Sequence, residues 1–500
     1  MRRMKWFLLV LMIGSGLLLS ISWVRAETLK ADVVVIGAGS AGMAAAVNAA
    51  DGGAKVTVLE KMPFPGGASN LAMAVFNPDS KKTNEVFREL MEFSHWRANA
   101  RLVRAYVDKA VSNREWFAQH GVEMIPSESA GMSGVQLKAE GQGHGGASMV
   151  KTLVARAKEN GADIRLSTPA EKLILEKGRI AGVIAKDKDG KPIQVNAKAV
   201  IIATGGFGNN KDMLREYTGF SGDELFLMMD LKLTGDGIRM AWEAGAAKEG
   251  LGVHMIYNVP GPGIVGDMPW MAKNQVRVIQ MQPHLWVNQR GERFFDEGAA
   301  RNTTYTGNAI ARQKGRCAYL IFDGSIRKKM EVGFDNAYGV FPGMGKLVDL
   351  DSQMKGLQES GNRNAFMADS LEELARKMQI DPNVLKETVA QYNRSCEKGH
   401  DDLFAKDPKF LRPVKEPKYY AFRVVPSAYG TFGGIKVNEK MEVLNQEQDV
   451  IPGLYAAGYD AHIIFGDTPD YDWKVSGSGL GFAVTSGRIA GESVLKYLGK

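Results

Sequence analysis

The segment Asp32-Val33-Val34-Val35-Ile36-Gly37-Ala38-Gly39-Ser40-Ala41-Gly42 sets the architecture of this chain. Asp32–Ile36 is a short apolar run rich in β-branched residues, the pattern of a parallel strand buried on both faces. The three glycines follow at once. An Ala-rich stretch, Met43–Ala50, then reads as a helix, and Gly52-Gly53 stops it. Lys55–Leu59 is a second β-branched run and ends on an acid, Glu60. Strand, glycine turn, helix and strand make a complete β-α-β unit. Gly37 permits the tight turn, Gly39 lets the backbone approach a pyrophosphate, and Gly42 lets the helix pack close to the strand. The helix N-terminus offers amide donors and the positive end of its dipole to phosphates. Glu60 can accept both hydroxyls of an adenosine ribose. A glycine triplet alone serves many tight turns. The strand before it, the helix after it and the acid at position 60 make the dinucleotide reading specific.

Glu60-Lys61-Met62-Pro63-Phe64-Pro65-Gly66-Gly67 separates FAD from NAD. A glycine pair shortly after the ribose acid, with Gly67 and the neighbouring Lys61 facing the cofactor, suits an extended cofactor that crosses the domain. Farther along, Lys172–Leu175 and Ile180–Ala185 predict a hairpin around Glu176-Lys177-Gly178-Arg179. Ala199–Ala203 predicts another buried strand, running into Thr204-Gly205-Gly206. The stretch from about His254 to Pro426 has another texture, with Pro-Gly loops, Trp270 and Trp286, and a helix at Leu371–Met378. Gly453–Gly458 then returns to the strand-then-glycine style, and a helix at Leu480–Tyr497 closes the chain. The expected fold is α/β: a Rossmann-type FAD-binding domain (27–253 and 428–500) interrupted by an α+β capping domain (254–427).

Residues 1–26 have the form of a secretory signal. Arg2, Arg3 and Lys5 precede an apolar run from Trp6, and Val24-Arg25-Ala26 ends on a small residue. Trp6 to Val24 is also long enough to serve as an uncleaved N-terminal anchor. The Arg2-Arg3 pair leaves the choice between Sec and twin-arginine export open. The formal charge is +7, and removal of Arg2, Arg3, Lys5 and Arg25 takes it to +3, so no nucleic-acid partner is implied. Cys317 and Cys396 are the only cysteines, read as two isolated thiols; neither a CxxCH haem site nor a cysteine cluster is present. His95, His120 and His400 read as surface residues, while His144, His254, His284 and His462 are pocket candidates. None has metal-ligand spacing.

VVVIGAGSAGMAAAVNAA, EKMPFPGGAS, AKAVIIATGGFGNN, LTGDGIRMAWEAGAA, VNQRGERFFDE, IPGLYAAG and SGRIAGE, in this order, resemble the FAD-dependent flavoproteins of the fumarate reductase and succinate dehydrogenase type, with their enoate reductase and 3-ketosteroid dehydrogenase relatives. The resemblance implies FAD contacts at Ala41, Glu60, Ala68, Ser69, Ala170, Asp236, Gly479 and Leu480, with Gly205 and Gly458 in the glycine turns around them. No His lies between residues 1 and 94, so the implied FAD is non-covalent. The implied chemistry is hydride transfer from flavin N5 to one alkene carbon and proton donation to the other by an Arg. That Arg sits in a G-x-R-F-x-x-E…R pattern, here Gly291-Glu292-Arg293-Phe294-Phe295-Asp296-Glu297 and then Arg301. A free guanidinium rarely gives up a proton. The bland alternative is a surface Arg paired with Asp296 or Glu297.

The departures from the family pattern narrow the substrate. Where fumarate reductases hold two carboxylates with two His and an Arg, this chain has Tyr257, Tyr429-Gly430 and Lys474. The proton-relay Glu and Arg appear as Arg277 and Gln280. Tyr257, Tyr429, Trp473 and Phe432 predict an aromatic pocket for a monocarboxylate, aryl enoate or other conjugated acceptor. With no haem, the implied electron donor is a separate cytochrome c or a quinol-linked membrane partner. Two alternatives stand beside this: a dehydrogenase that introduces a C=C bond, with Tyr429 in its acid–base machinery, and a non-catalytic electron-transfer flavoprotein subunit.

Overall fold

The computed structural model describes residues 27–125, 134–140, 144–220, 225–227, 231–254, 257–261, 275–335, 346–466 and 477–500. Its centre is a six-stranded sheet in the order Glu442–Leu444, Val450–Ala456, Ala199–Ile202, Val33–Ile36, Val56–Leu59, Asp163–Arg165. Every pairing is parallel except that of the edge strand Glu442–Leu444. The inner strands Val33–Ile36, Val56–Leu59 and Ala199–Ile202 are buried at every residue, as their unbroken β-branched runs require.

The helix Ser40–Asp51 follows the first strand, and the last helix, Ser478–Leu498, packs along it. Small residues make this approach close enough to be unusual. A Cβ on Gly487 would lie 2.2 Å from the Ala41 carbonyl oxygen, and one on Gly491 would lie 2.8 Å from that of Ala45. The two glycines are one helical turn apart and face two alanines also one turn apart. Polar contacts lock the register. Asn48 Nδ2 donates to the Arg488 carbonyl (3.1 Å), and Trp116 Nε1 donates to Asn48 Oδ1 (2.8 Å). The buried Arg488 donates to Asn113 Oδ1 (2.6 Å) and Ser112 Oγ (2.9 Å), with its guanidinium 5.3 Å above the Trp116 ring. Burial lowers its pKa to about 10.

A four-stranded sheet joins Glu27–Lys30 to Pro192–Asn196 and to the hairpin Ala170–Glu176/Arg179–Lys186. Glu176 faces Arg179, and the two turn residues, Lys177 (φ 50°) and Gly178 (φ 77°), are both left-handed. That backbone matches the twist of the flanking strands.

Buried apolar residues form two large clusters. One spans the six-stranded sheet and its helices and draws on residues from 33 to 246 and from 428 to 494. The other lies within residues 276–424. It is built on the long strand Tyr419–Ala428, which pairs with Ala318–Asp323, Tyr257–Pro260, Ala365–Ala368 and Phe226–Leu227. Helices Leu371–Met378 and Pro382–Lys398 belong to this second body. The two passages of the chain between the clusters run side by side, Gly250–His254 antiparallel to Gly430–Gly433. Among the described residues no helix is long and apolar enough to cross a membrane.

Replacing Gly487 with Ala forces a methyl onto a backbone oxygen. We expect a loss of about 1–3 kcal/mol in denaturant unfolding. Gly356→Ala is the control. It lies in the helix Leu350–Glu359 with open space around a new Cβ, and it should gain about 0.5–1 kcal/mol.

Candidate cofactor and substrate site

The glycine turn is shaped for close backbone approach. Gly37 has φ 103°, and a Cβ there would sit 2.3 Å from the Ala203 carbonyl oxygen. A Cβ on Gly42 would lie 1.9 Å from the Gly37 oxygen. Glu60 is buried. Its Oε2 accepts from the Ala38 amide (2.7 Å) and its Oε1 from the Met62 amide (2.8 Å). The sequence reading gave this carboxylate only to a ribose. In the fold it also braces the turn, and its remaining lone pairs are what a ribose would meet.

The second glycine loop folds back onto the first. Gly66 donates to the Ala38 carbonyl (2.9 Å), and Ser69 Oγ accepts from the Ser40 amide (3.0 Å) and donates to Ser40 Oγ (2.8 Å). Gly67 opens the short turn Gly67–Leu71, which carries Ala68 and Ser69; a Cβ on Gly67 would meet open space. Lys61 Nζ donates to Thr234 Oγ1 (2.8 Å) and Asp236 Oδ2 (2.7 Å), so two residues predicted separately as cofactor contacts are bonded to each other. Burial raises the Asp236 pKa, but Lys61 and its other donors outweigh this and hold it below the usual value. The strand that starts at Ala170 packs against the helix that starts at Asp236.

Sequence reading missed Asp460. It is fully buried, and its carboxylate accepts from the Thr204 amide, Thr204 Oγ1 (2.9 Å), the Gly205 amide (3.2 Å) and the Gly206 amide (2.8 Å). Burial pushes its pKa up despite these donors. The acid ties the Thr204-Gly205-Gly206 loop to the last crossover, and the Gly205 amide is committed to it. Gly458, two residues before Asp460, donates to Ser486 Oγ (2.9 Å), and a Cβ there would lie 2.9 Å from the Ala41 Cβ. Nothing local in Gly458-Tyr459-Asp460 signals this role, because its partners lie more than 250 residues upstream.

Three helices carrying the expected cofactor contacts, Ser40–Asp51, Asp236–Glu243 and Ser478–Leu498, have glycine N-caps: Gly39, Gly235 and Gly477. None has a side-chain cap. Asn99, Asn210, Asn302, Asp323, Ser370 and Asp381, by contrast, cap their helices with side-chain oxygens. A bare N-terminus leaves amide donors and dipole for a ligand. Gly479 and Leu480 lie in the buried first turn of the last of these helices. Glycine cradle, braced acid and bare helix ends fit an extended dinucleotide.

On the other body, the Gly291–Arg301 segment is held by a buried ion cluster. Arg293 donates to both oxygens of Glu297 (2.8 and 2.7 Å) and of Asp401 (2.9 and 2.8 Å). Lys406 Nζ lies 3.4 Å from Glu297 and donates to the Pro283 carbonyl (2.7 Å) and the Tyr392 hydroxyl (2.9 Å). Burial opposes ionisation of Asp401, but Arg293 wins and brings it to about 2. Asp296 caps the following turn through the Gly298 amide (2.7 Å). Glu297 is thus taken by Arg293 and Lys406, and Asp296 gives one oxygen to the Gly298 amide. Arg301 ends the turn Glu297–Arg301, with its side chain exposed. Asn302 then caps the helix Thr303–Ala311, which packs on the strands Tyr257–Pro260 and Tyr419–Ala428. Tyr429 follows the second strand and packs, half-buried, with Val259 and Val425. The helix that follows Arg301 thus packs on the strand of Tyr257 and on the strand that leads to Tyr429.

Lys474 and Trp473 lie outside the described residues, as do the side chains of Tyr257, His254 and Arg277. Phe432, expected in an aromatic pocket wall, packs on another pocket candidate, His462. It is buried, with its ring stacked on His462 at 3.6 Å. His284 is a core residue, its Nε2 3.3 Å from Met330 Sδ, and burial lowers its pKa to about 3. His120 is not a free surface residue: it packs on Trp116 and bonds Asp51 (2.8 Å). Both cysteines are free thiols.

Two measurements check this architecture. Arg293→Met leaves Glu297 and Asp401 buried without their main partner and should cost about 3–5 kcal/mol in thermal or denaturant unfolding. His284 is neutral in the fold down to about pH 3 but takes up a proton near 6.5 when unfolded. Its contribution is present above pH 6.5 and is lost as pH falls, with a slope approaching about 1.4 kcal/mol per pH unit. Unfolding at pH 7.5, 6.5 and 5.5 should show this slope, and His284→Leu should flatten it by one proton.

The FAD binding domain family profile matches residues 32–468. Vinyl phenol reductase of Lactiplantibacillus plantarum is 34% identical over 490 aligned residues, covering 93% of this chain and 96% of the relative. Fumarate reductase (cytochrome) of Shewanella frigidimarina is 30% identical over 486, covering 93% and 77%. The open conformation of a flavocytochrome c3 fumarate reductase superposes with a TM-score of 0.70 at 25% identity, covering 94% of this chain and 79% of that one.

Proposed function

We propose, for a chain that belongs to the FAD binding domain family, the reduction of a conjugated C=C acceptor that is not a dicarboxylate. The cofactor is FAD, and the chain is a FAD-dependent oxidoreductase acting on C=C bonds. Bound FAD supplies the electron pair as hydride. The protein supplies position and a proton. In this reading 27–253 and 428–500 form the cofactor domain and 254–427 the cap. Gly37 makes the tight turn and Gly42 the close helix packing that let Gly39 approach the pyrophosphate, Glu60 meets the ribose, and Ala41, Gly67, Ala68, Ser69, Ala170, Asp236, Gly479 and Leu480 contact the rest of a non-covalent FAD. The turn Gly67–Leu71 contains no His that could bond it covalently.

Arg301 is the proton donor at the acceptor carbon left electron-rich by reduction. The single observation carrying this is that the helix Thr303–Ala311, which begins just after Arg301, packs on the strand of Tyr257 and on the strand that leads to Tyr429. The Arg293–Glu297–Asp401 cluster anchors the start of the turn whose last residue is Arg301. A guanidinium is a poor proton donor in water, so the transfer needs a strongly basic, carbanion-like centre on the acceptor. The relative named vinyl phenol reductase, together with tyrosines at 257 and 429, favours an aryl or monocarboxylate acceptor bound by Tyr257, Tyr429 and Lys474. The enzyme is exported by its 1–26 signal and takes electrons from a separate cytochrome c or quinol-linked donor.

The test is reoxidation of the viologen-reduced protein by a panel of acceptors. Aryl alkenes or monocarboxylate enoates should be fastest, and Arg301→Gln should slow them at least about 100-fold with the FAD content unchanged. Fumarate as the fastest acceptor, or a steroid bleaching the oxidised flavin, would overturn the reading.

A further inference from the structure

The long strand Tyr419–Ala428 carries a polar atom that the fold leaves unserved. Ser427 is 0% exposed, and its Oγ has no hydrogen-bond partner. An unpaired hydroxyl inside a protein costs about 1–3 kcal/mol relative to a satisfied one, so its retention calls for a reason. Its place in the sheet offers one. Side chains alternate along a strand, so Val425, Ser427 and Tyr429 share a face. Val425 and Tyr429 are already seen packing together with Val259. The register sets Val259 opposite Val425 and Tyr257 opposite Ser427. Ser427 therefore lies between the positions of the two tyrosines read as substrate residues. The helix Thr303–Ala311, which begins just after Arg301, packs on this same pair of strands. Its cap, Asn302, uses Oδ1 on the Thr304 and Tyr305 amides (3.0 and 3.3 Å), while its Nδ2 is buried without a partner.

We propose that Ser427 is a specificity-determining residue whose hydroxyl bonds a neutral oxygen function, a hydroxyl or carbonyl, on the acceptor. This rests on the C=C reduction reading and deepens it. Val259 and Val425 form part of this face, and a bare carboxylate placed there would lose its hydration for one hydroxyl. A neutral oxygen loses far less, and a serine can either donate to it or accept from it. The unmet hydrogen bond is thus reserved for the ligand.

The experiment compares 4-hydroxystyrene with styrene as oxidants of the reduced wild-type and Ser427→Ala proteins, with melting temperature and FAD content measured on both. Ala fits the space of Ser and removes an unsatisfied group, so S427A should melt no lower than wild type. Its KM for 4-hydroxystyrene should rise about 3- to 10-fold, the worth of one neutral hydrogen bond, with styrene unchanged. Equal effects on both alkenes, or a lower melting temperature with selectivity intact, would show a structural hydroxyl and overturn the inference while leaving the reduction reading standing. Failure of every alkene and enoate to reoxidise the wild type would overturn that reading, and this inference with it.

Discussion

Close approach of the first and last helices governs the rest of the molecule. Gly487 and Gly491 meet Ala41 and Ala45 at distances that admit no further atom. The seam joins parts of the chain more than 400 residues apart. It brings the strand Val450–Ala456 beside Ala199–Ile202 and places Gly458 on Ala41. The bare N-termini of both helices belong to this one body. A helix–helix contact built on large side chains would hold the two apart, and the cradle around Gly37, Gly66 and Gly458 would not close.

Charge is managed differently in the two bodies. Around the cofactor cradle, Glu60 and Asp460 are satisfied chiefly by backbone amides, which hold loops in place without bringing in a cation. In the second body, Arg293, Glu297, Asp401 and Lys406 satisfy one another. Such a cluster adds little net stability over apolar packing, because desolvation offsets attraction. Its geometry is directional, however, and it ends one short turn before Arg301. The G-x-R-F-x-x-E part of that motif is thus scaffolding for the residue that follows it.

The β-α-β unit, the hairpin at 176–179 and the helix Leu371–Met378 were legible because their signals are local: β-branched runs, glycines with left-handed backbone and helical apolar spacing. Glu60 was legible as an acid ending a strand, but not as the brace of the Gly37 turn. His284, a pocket candidate that is a core residue, went astray for one reason. An aromatic or a histidine near a motif looks the same whether it lines a pocket or stacks in a core, and only packing distinguishes them.

Sequence alone was enough to name the cofactor class and the opening β-α-β unit, since each depends on residues within one turn or one strand of each other. The packing of the helix after Arg301 on the strand of Tyr257 and the strand before Tyr429, the amide cage around Asp460 and the unserved hydroxyl of Ser427 came only from the fold. Each is a relation between residues distant in the chain, and burial, not residue type, gives each its chemical meaning.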